Sequence, residues 1–245
     1  MNKRILVFLS VVFMLVIWLA AFIMINTPLL FPSPLQVGRA FANLMVSFEA
    51  WSALAASILR LLLMVVISLV MALFMALYAS RHPRFEIIIR PYITILRTIP
   101  VISIIVILLI VAGFTRTPYI ATFLMIFPLL YQGILDAVKD IPQDYRDVFA
   151  LEDGRLIPGW FHNELPLVKN QFATVLLQAC GLGVKVLIMT EYLSQTPRSI
   201  GAAIYIARIY FRYDEVFAWT LILILLVLAI EMGIRKLQIF NLRHA

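Results

Sequence analysis

The chain is 245 residues long, 63% hydrophobic and only 13% charged, with a mean hydropathy of +1.00. A soluble domain cannot bury that much apolar surface, so composition leaves an integral membrane protein, and continuous apolar runs in place of alternating ones exclude barrel strands in favour of helices. The formal net charge of +7 is what basic residues flanking membrane helices produce and calls for no nucleic acid.

Taken in chain order, Lys3 and Arg4 precede an apolar run over 5–25. This start resembles a signal peptide, but the run exceeds the ~7–15 residues of a signal h-region and no small-x-small site follows, so a retained first span is expected. Pro32-Ser33-Pro34 is a stiff turn. Val37, Phe41, Leu44, Met45 and Phe48 then give 35–48 one apolar face at helical spacing, which predicts an amphipathic helix at the outer surface. Further spans are predicted over about 56–79, 93–113, 118–137, 171–192 and 216–234, each near the ~20 residues needed to cross a bilayer. The fifth is interrupted by Lys185. Between the last two spans, Ile200, Ile204, Ile206 and Tyr210 make 199–212 helix-like. The expected fold is all-α, with six transmembrane helices in one domain over 1–245 and a core over about 50–235.

With the N-terminus inside, the inner segments hold twelve Lys and Arg and the outer segments five, namely Arg39, Arg116, Arg198, Arg208 and Arg212. This asymmetry predicts both termini in the cytoplasm. It also turns segment 136–169 to that side. Seven of the thirteen acids sit there: Asp136, Asp140, Asp144, Asp147, Glu152, Asp153 and Glu164. The segment is too polar for a bilayer and has a pattern of its own. Pro142 suits a first helical turn, and Tyr145, Val148, Phe149 and Glu152 follow at helical spacing. Asp153-Gly154 ends the helix, Pro158-Gly159 is a second break, Trp160-Phe161 adds an aromatic knob, and Leu165-Pro166 leads into the next span. The bland alternative is a solvated loop with an interfacial helix.

This segment resembles the signature of permease subunits of binding-protein-dependent ABC importers: Glu-Ala-Ala, three residues, Gly, about nine residues, hydrophobic, x, Leu-Pro. Ala150, Gly154 and Leu165-Pro166 match it. Val148 and Phe149 stand where Glu and the first Ala are usual, and the spacing from Gly154 to Leu165 is one residue short. The remaining chain is similar to the nitrate/sulfonate/taurine-type branch, which includes transporters of thiamine-precursor pyrimidines. The residues carrying this are Leu30-Phe31-Pro32-Ser33-Pro34, Ser57-Ile58-Leu59-Arg60, Leu96-Arg97-Thr98-Ile99-Pro100, Phe127-Pro128-Leu129-Leu130, Lys185 before Thr190-Glu191-Tyr192-Leu193, and Ser199-Ile200-Gly201. Span two lacks the usual glycines, with Met64 among their replacements, and Ile105 lies where a second proline is usual.

The resemblance implies a type I, MetI-like permease fold in a bacterial inner membrane. A second permease subunit, expected to be an identical copy, would complete the pathway. An extracytoplasmic binding protein would deliver substrate and cytoplasmic ATPase subunits would drive transport. Segment 136–169 would be the coupling element, touching the ATPase through Asp147, Ala150, Glu152, Asp153, Gly154, Trp160, Phe161, Leu165 and Pro166. No G-x-x-x-x-G-K-[ST] loop occurs in the chain, so no cofactor is expected in it, and ATP with Mg would bind the partner ATPase.

Ionisable residues in spans are costly and mark cavities or interfaces. Arg60, Arg97, Lys185 and Glu191, with Pro100, are the candidates for the translocation pathway. The cations suit an anionic solute such as a sulfonate; structural pairing, including Lys185 with Glu191, is the alternative. Glu231 and Arg235, four apart, read as an ordinary helix pair. His82, His162, His244 and the lone Cys180 form no metal-ligand spacing, and no Ser/His pair lies in the spans, so an enzyme is not expected. A stand-alone channel or secondary carrier is the rival function, and a membrane-bound lipid-modifying enzyme a more distant one. The channel or carrier would not need the projecting segment; the enzyme would use its acids as a metal site, but they lack tight D-x-x-D clustering with glycines.

Overall fold

The structure is a computed structural model that describes residues 3–27, 29–142 and 165–243, and every regular element among them is helical. In chain order these are α1 (Lys3–Ile25), α2 (Pro34–Val46), α3 (Phe48–Arg81), α4 (Pro83–Thr98), α5 (Val101–Val111), α6 (Thr117–Lys139), α7 (Leu165–Ser194), α8 (Ile200–Ile209) and α9 (Tyr213–Arg243). α1, α3, α6, α7 and α9 are each long and apolar enough to cross a membrane. The chain divides into two compact units, residues 1–57 with 191–226 and residues 58–190 with 227–245.

In the first unit α2 is fixed by its ends. Ser33 accepts from the Gln36 N–H while the Gln36 side chain accepts from the Ser33 N–H, a reciprocal capping box, and Pro34 supplies a preset first-turn φ. The helix stops at Val46 because Ser47 is extended; Phe48 therefore opens α3 and is 85% exposed, so the apolar face expected over 35–48 is shorter than its spacing suggested. Val37 and Ala40 of α2 pack on Ala218 of α9, with Trp18 and Phe217 against them. The Trp18 indole also donates to the Pro32 carbonyl at 3.2 Å and stacks on Phe217. Along the most apolar stretch of α1 nothing is buried, as for a helix surrounded by lipid.

In the second unit α6 is the central helix, with Ala121, Ile126, Leu130, Ile134 and Leu135 buried. It continues through Pro128, which membrane helices tolerate when neighbours cover the released carbonyl. Gly133 faces Val175, and Gly183 faces Ile126 and Leu61, so small residues bring α3, α6 and α7 close. Gly113, at φ +76°, makes the left-handed turn between α5 and α6.

The third expected span, 93–113, differs from expectation. It is two helices, α4 and α5, meeting at 98°. Pro100 has no N–H to continue the ladder, and its ring pushes Ile99 out of the helical region to φ −66°, ψ 131°. α4 begins ten residues earlier than the apolar run, at Pro83.

Candidate functional site

Two features concentrate the polar chemistry, one in each unit. In the second unit it is the break itself. Arg97 lies exposed in the last turn of α4, where a cation suits the carbonyl end of the helix, and Pro100 caps α5 three residues on. Thr98 Oγ1 turns back to the Ile95 carbonyl at 3.0 Å. α5, at 11 residues, is about 16 Å long, half of a ~30 Å hydrocarbon layer. The break thus sets irregular backbone beside a cation. Lys185 is exposed on α7, and Arg60 is half-buried on α3.

In the first unit a buried carboxylate organises the start of α8. Glu191 is wholly buried, and Ser57 is 2% exposed. Ser57 Oγ lies 2.9 and 2.8 Å from the two Glu191 carboxylate oxygens, and the hydroxyl donates to the carboxylate. Ser57 Oγ in turn accepts the Ile200 N–H at 3.0 Å, and Glu191 Oε2 accepts the Gly201 N–H at 3.3 Å. Ser199 caps the same helix by accepting the Ala202 N–H at 3.0 Å. A helix begins with N–H groups that its own carbonyls cannot reach. Here the first three are each satisfied by a side chain, and the carboxylate sits at the end of the helix dipole that favours an anion.

Gly201 makes this possible. A Cβ there would stand 2.4 Å from the Tyr192 nitrogen and 2.5 Å from the Glu191 Cβ, so only glycine lets α8 start so close to the end of α7. Glu191, expected among the pathway candidates with structural pairing as the alternative, also anchors a helix start through its bonds to Ser57 and the Gly201 N–H. Ser57 and Gly201 were visible only as parts of motifs. The usable signals were a serine inside a largely apolar run and Ser199-Ile200-Gly201 at the start of a helical pattern.

Also in the first unit, a cleft of about 340 Å³ is lined by Ser47, Glu49, Arg212, Asp214, Glu215 and Trp219 among others, with Arg212 paired to Glu215 at 2.7 Å. In the second, Glu231 and Arg235 form the expected helix pair at 2.6 Å. No group of His, Cys, Asp and Glu among the described residues could hold a metal ion. Of the expected ATPase-contacting residues, Leu165 and Pro166 open α7, while Asp147, Ala150, Glu152, Asp153, Gly154, Trp160 and Phe161 lie outside the described residues.

Among the described residues, five helices long and apolar enough to cross a membrane and the bent pair of α4 and α5 make an all-helical membrane protein. The chain belongs to the family of binding-protein-dependent transport system inner membrane components, which it matches over residues 68–234, from the middle of α3 into α9. It is a permease subunit of an ABC importer. It is similar to the taurine transport system permease protein TauC of Escherichia coli (strain K12), at 25% identity over 228 residues, covering 90% of this chain and 82% of that protein.

Proposed function

We propose that this permease, as a single domain over 1–245 with its core over about 50–235, pairs with a second copy of itself to import a small sulfonate-like anion. Both termini lie in the cytoplasm in this reading, which the excess of basic residues in the inner segments favours. ATPase subunits, which alone bind ATP and Mg, dock on segment 136–169 and swing the spans by rigid-body alternating access. A binding protein delivers the solute to the opposite face.

The observation that carries the substrate class is the break at Ile99-Pro100 with Arg97 beside it. A discontinuous span presents a cation and a helix start where an anion crossing the membrane needs them. The similarity to a taurine permease points the same way.

The test is uptake into proteoliposomes holding the permease, its ATPase and its binding protein. ATP-dependent taurine or alkanesulfonate uptake is expected, and Arg97→Gln lowers it without loss of complex assembly. Substituting Gly154 or Trp160 and Phe161 abolishes co-purification of the ATPase. Sustained uptake by the permease alone would overturn the reading.

A further inference from the structure

α4 has three faces. Phe85, Ile89, Ile93 and Leu96 make the docked one, with Ile93 buried, and α4 is tied to α6 by the ion pair of Glu86 with Lys139 at 2.5 Å. Ile88, Tyr92 and Ile95, at i, i+4 and i+7, make a second face that points away from the protein and is 62%, 63% and 53% exposed. Arg90 and Thr94 run along its edge and Arg84 stands at its start, all three exposed. Glu86 is the one acid in the helix, and it is engaged by Lys139.

The bend settles what this outward face meets. α5 carries one polar residue, Ser103, and exposes Ile102, Val106, Ile107 and Ile110, so it runs in hydrocarbon. Where α5 follows the membrane normal, α4, at 98° to it, runs parallel to the membrane plane. Arg84, Glu86, Arg90 and Arg97 within 16 residues would be costly inside the bilayer but sit comfortably at that level. An isologous contact of this face with a second copy would bring two sets of arginines into one interface. A phosphate-bearing surface complements them, and Tyr92 suits the headgroup boundary.

We infer that α4 is an interfacial anchor: Ile88, Tyr92 and Ile95 sit among the outer ends of the acyl chains, and Arg84 and Arg90 bind anionic phospholipid headgroups. That the leaflet is the cytoplasmic one rests on the orientation proposed above. Arg97, at the far end, remains with the pathway.

The experiment uses the full-length permease in vesicles of phosphatidylcholine and phosphatidylglycerol in equal parts. Mass spectrometry of the intact protein is expected to find phosphatidylglycerol retained in preference. Arg84→Gln with Arg90→Gln lowers that preference about 25-fold, from about fivefold per arginine near an anionic surface. Independently, with Cys180→Ala, a nitroxide on Ile88→Cys collides with oxygen, and one on Thr94→Cys with a water-soluble nickel chelate. An unchanged lipid preference in the double variant, or disulfide cross-linking of Ile88→Cys between two copies, overturns the inference. Labelling of Thr94→Cys by an impermeant thiol reagent from the outer side overturns the orientation alone, because the lipid preference is read without reference to side.

Discussion

Replacing Ser57 by alanine tests whether the buried carboxylate clamp seats α8. The hydroxyl makes two kinds of bond at once, donating to Glu191 and accepting from the Ile200 N–H at 3.0 Å. Ser57→Ala therefore leaves a buried N–H without its acceptor and a buried carboxylate without one of its donors. With Ser57 at 2% and Glu191 at 0% exposure, solvent does not replace them. Each buried group left unmade costs about 1–3 kcal/mol, so local opening of the α8 start becomes easier by about 2–4 kcal/mol. At about 1.4 kcal/mol per tenfold, amide hydrogen exchange at Ile200 and Gly201 accelerates by about 30-fold or more. The assay is hydrogen exchange by mass spectrometry on the permease in lipid nanodiscs, with peptides from α6 as an internal reference. Ser57→Thr keeps the hydroxyl and retains most of the protection. If Ser57→Ala folds and its α8 amides exchange within about threefold of the parent rate, the apolar packing of Ile200 and Ala207 seats the helix and the clamp argument fails.

Gly201→Ala places a methyl group against main-chain atoms of Tyr192 and Glu191, so it costs more than the ~1–3 kcal/mol of ordinary overpacking; a large fall in thermal midpoint and in monodisperse yield is expected. Gly38→Ala, inside α2 with nothing within 4 Å of the new carbon, goes the other way and stabilises by about 0.5–1 kcal/mol in the same thermal assay. Pro100→Ala restores an N–H and relieves Ile99, so α4 and α5 straighten toward one helix. Spin-label distances between positions 88 and 107 lengthen, and ATP-dependent uptake falls while assembly with the ATPase persists.

The spans were legible because each is a run of apolar residues near bilayer length, a property of local sequence. α3, α7 and α9 prove longer than their apolar runs, at 34, 30 and 31 residues, since polar flanks with good helix propensity extend a helix without changing its hydropathy. The break in 93–113 is hidden by averaging, because one proline barely changes the hydropathy of the run. The clamp was not legible. Ser57 and Glu191 are 134 residues apart, and no periodicity joins them. Glu191 invited pairing with Lys185 through proximity in sequence; its contacts with the Gly201 N–H and the Ser57 hydroxyl follow no local pattern.

Why a carboxylate, when an apolar contact would bury more cheaply, follows from the connection it closes. The chain reverses between α7 and α8 in the five residues 195–199, and Gln195 and Arg198 take φ of 48° and 51° there. Left-handed backbone at non-glycine residues costs of order 1–3 kcal/mol each. The reversal is tied at several points: the Thr196 N–H to the Glu191 carbonyl at 3.1 Å, the Ser194 hydroxyl to Thr196 Oγ1 at 2.6 Å, and Ser199 Oγ to the Thr196 carbonyl at 2.7 Å. These fix the turn but leave the rotation of α8 about its own axis open. An apolar patch would tolerate several rotations. A carboxylate and a hydroxyl that each accept one particular N–H tolerate one, and the close approach at Gly201 excludes the rest. The polar clamp therefore supplies register, offsetting the strain of the turn, and it sets Ala203 and Ile206 of α8 on the cleft that also holds Arg212 and Asp214.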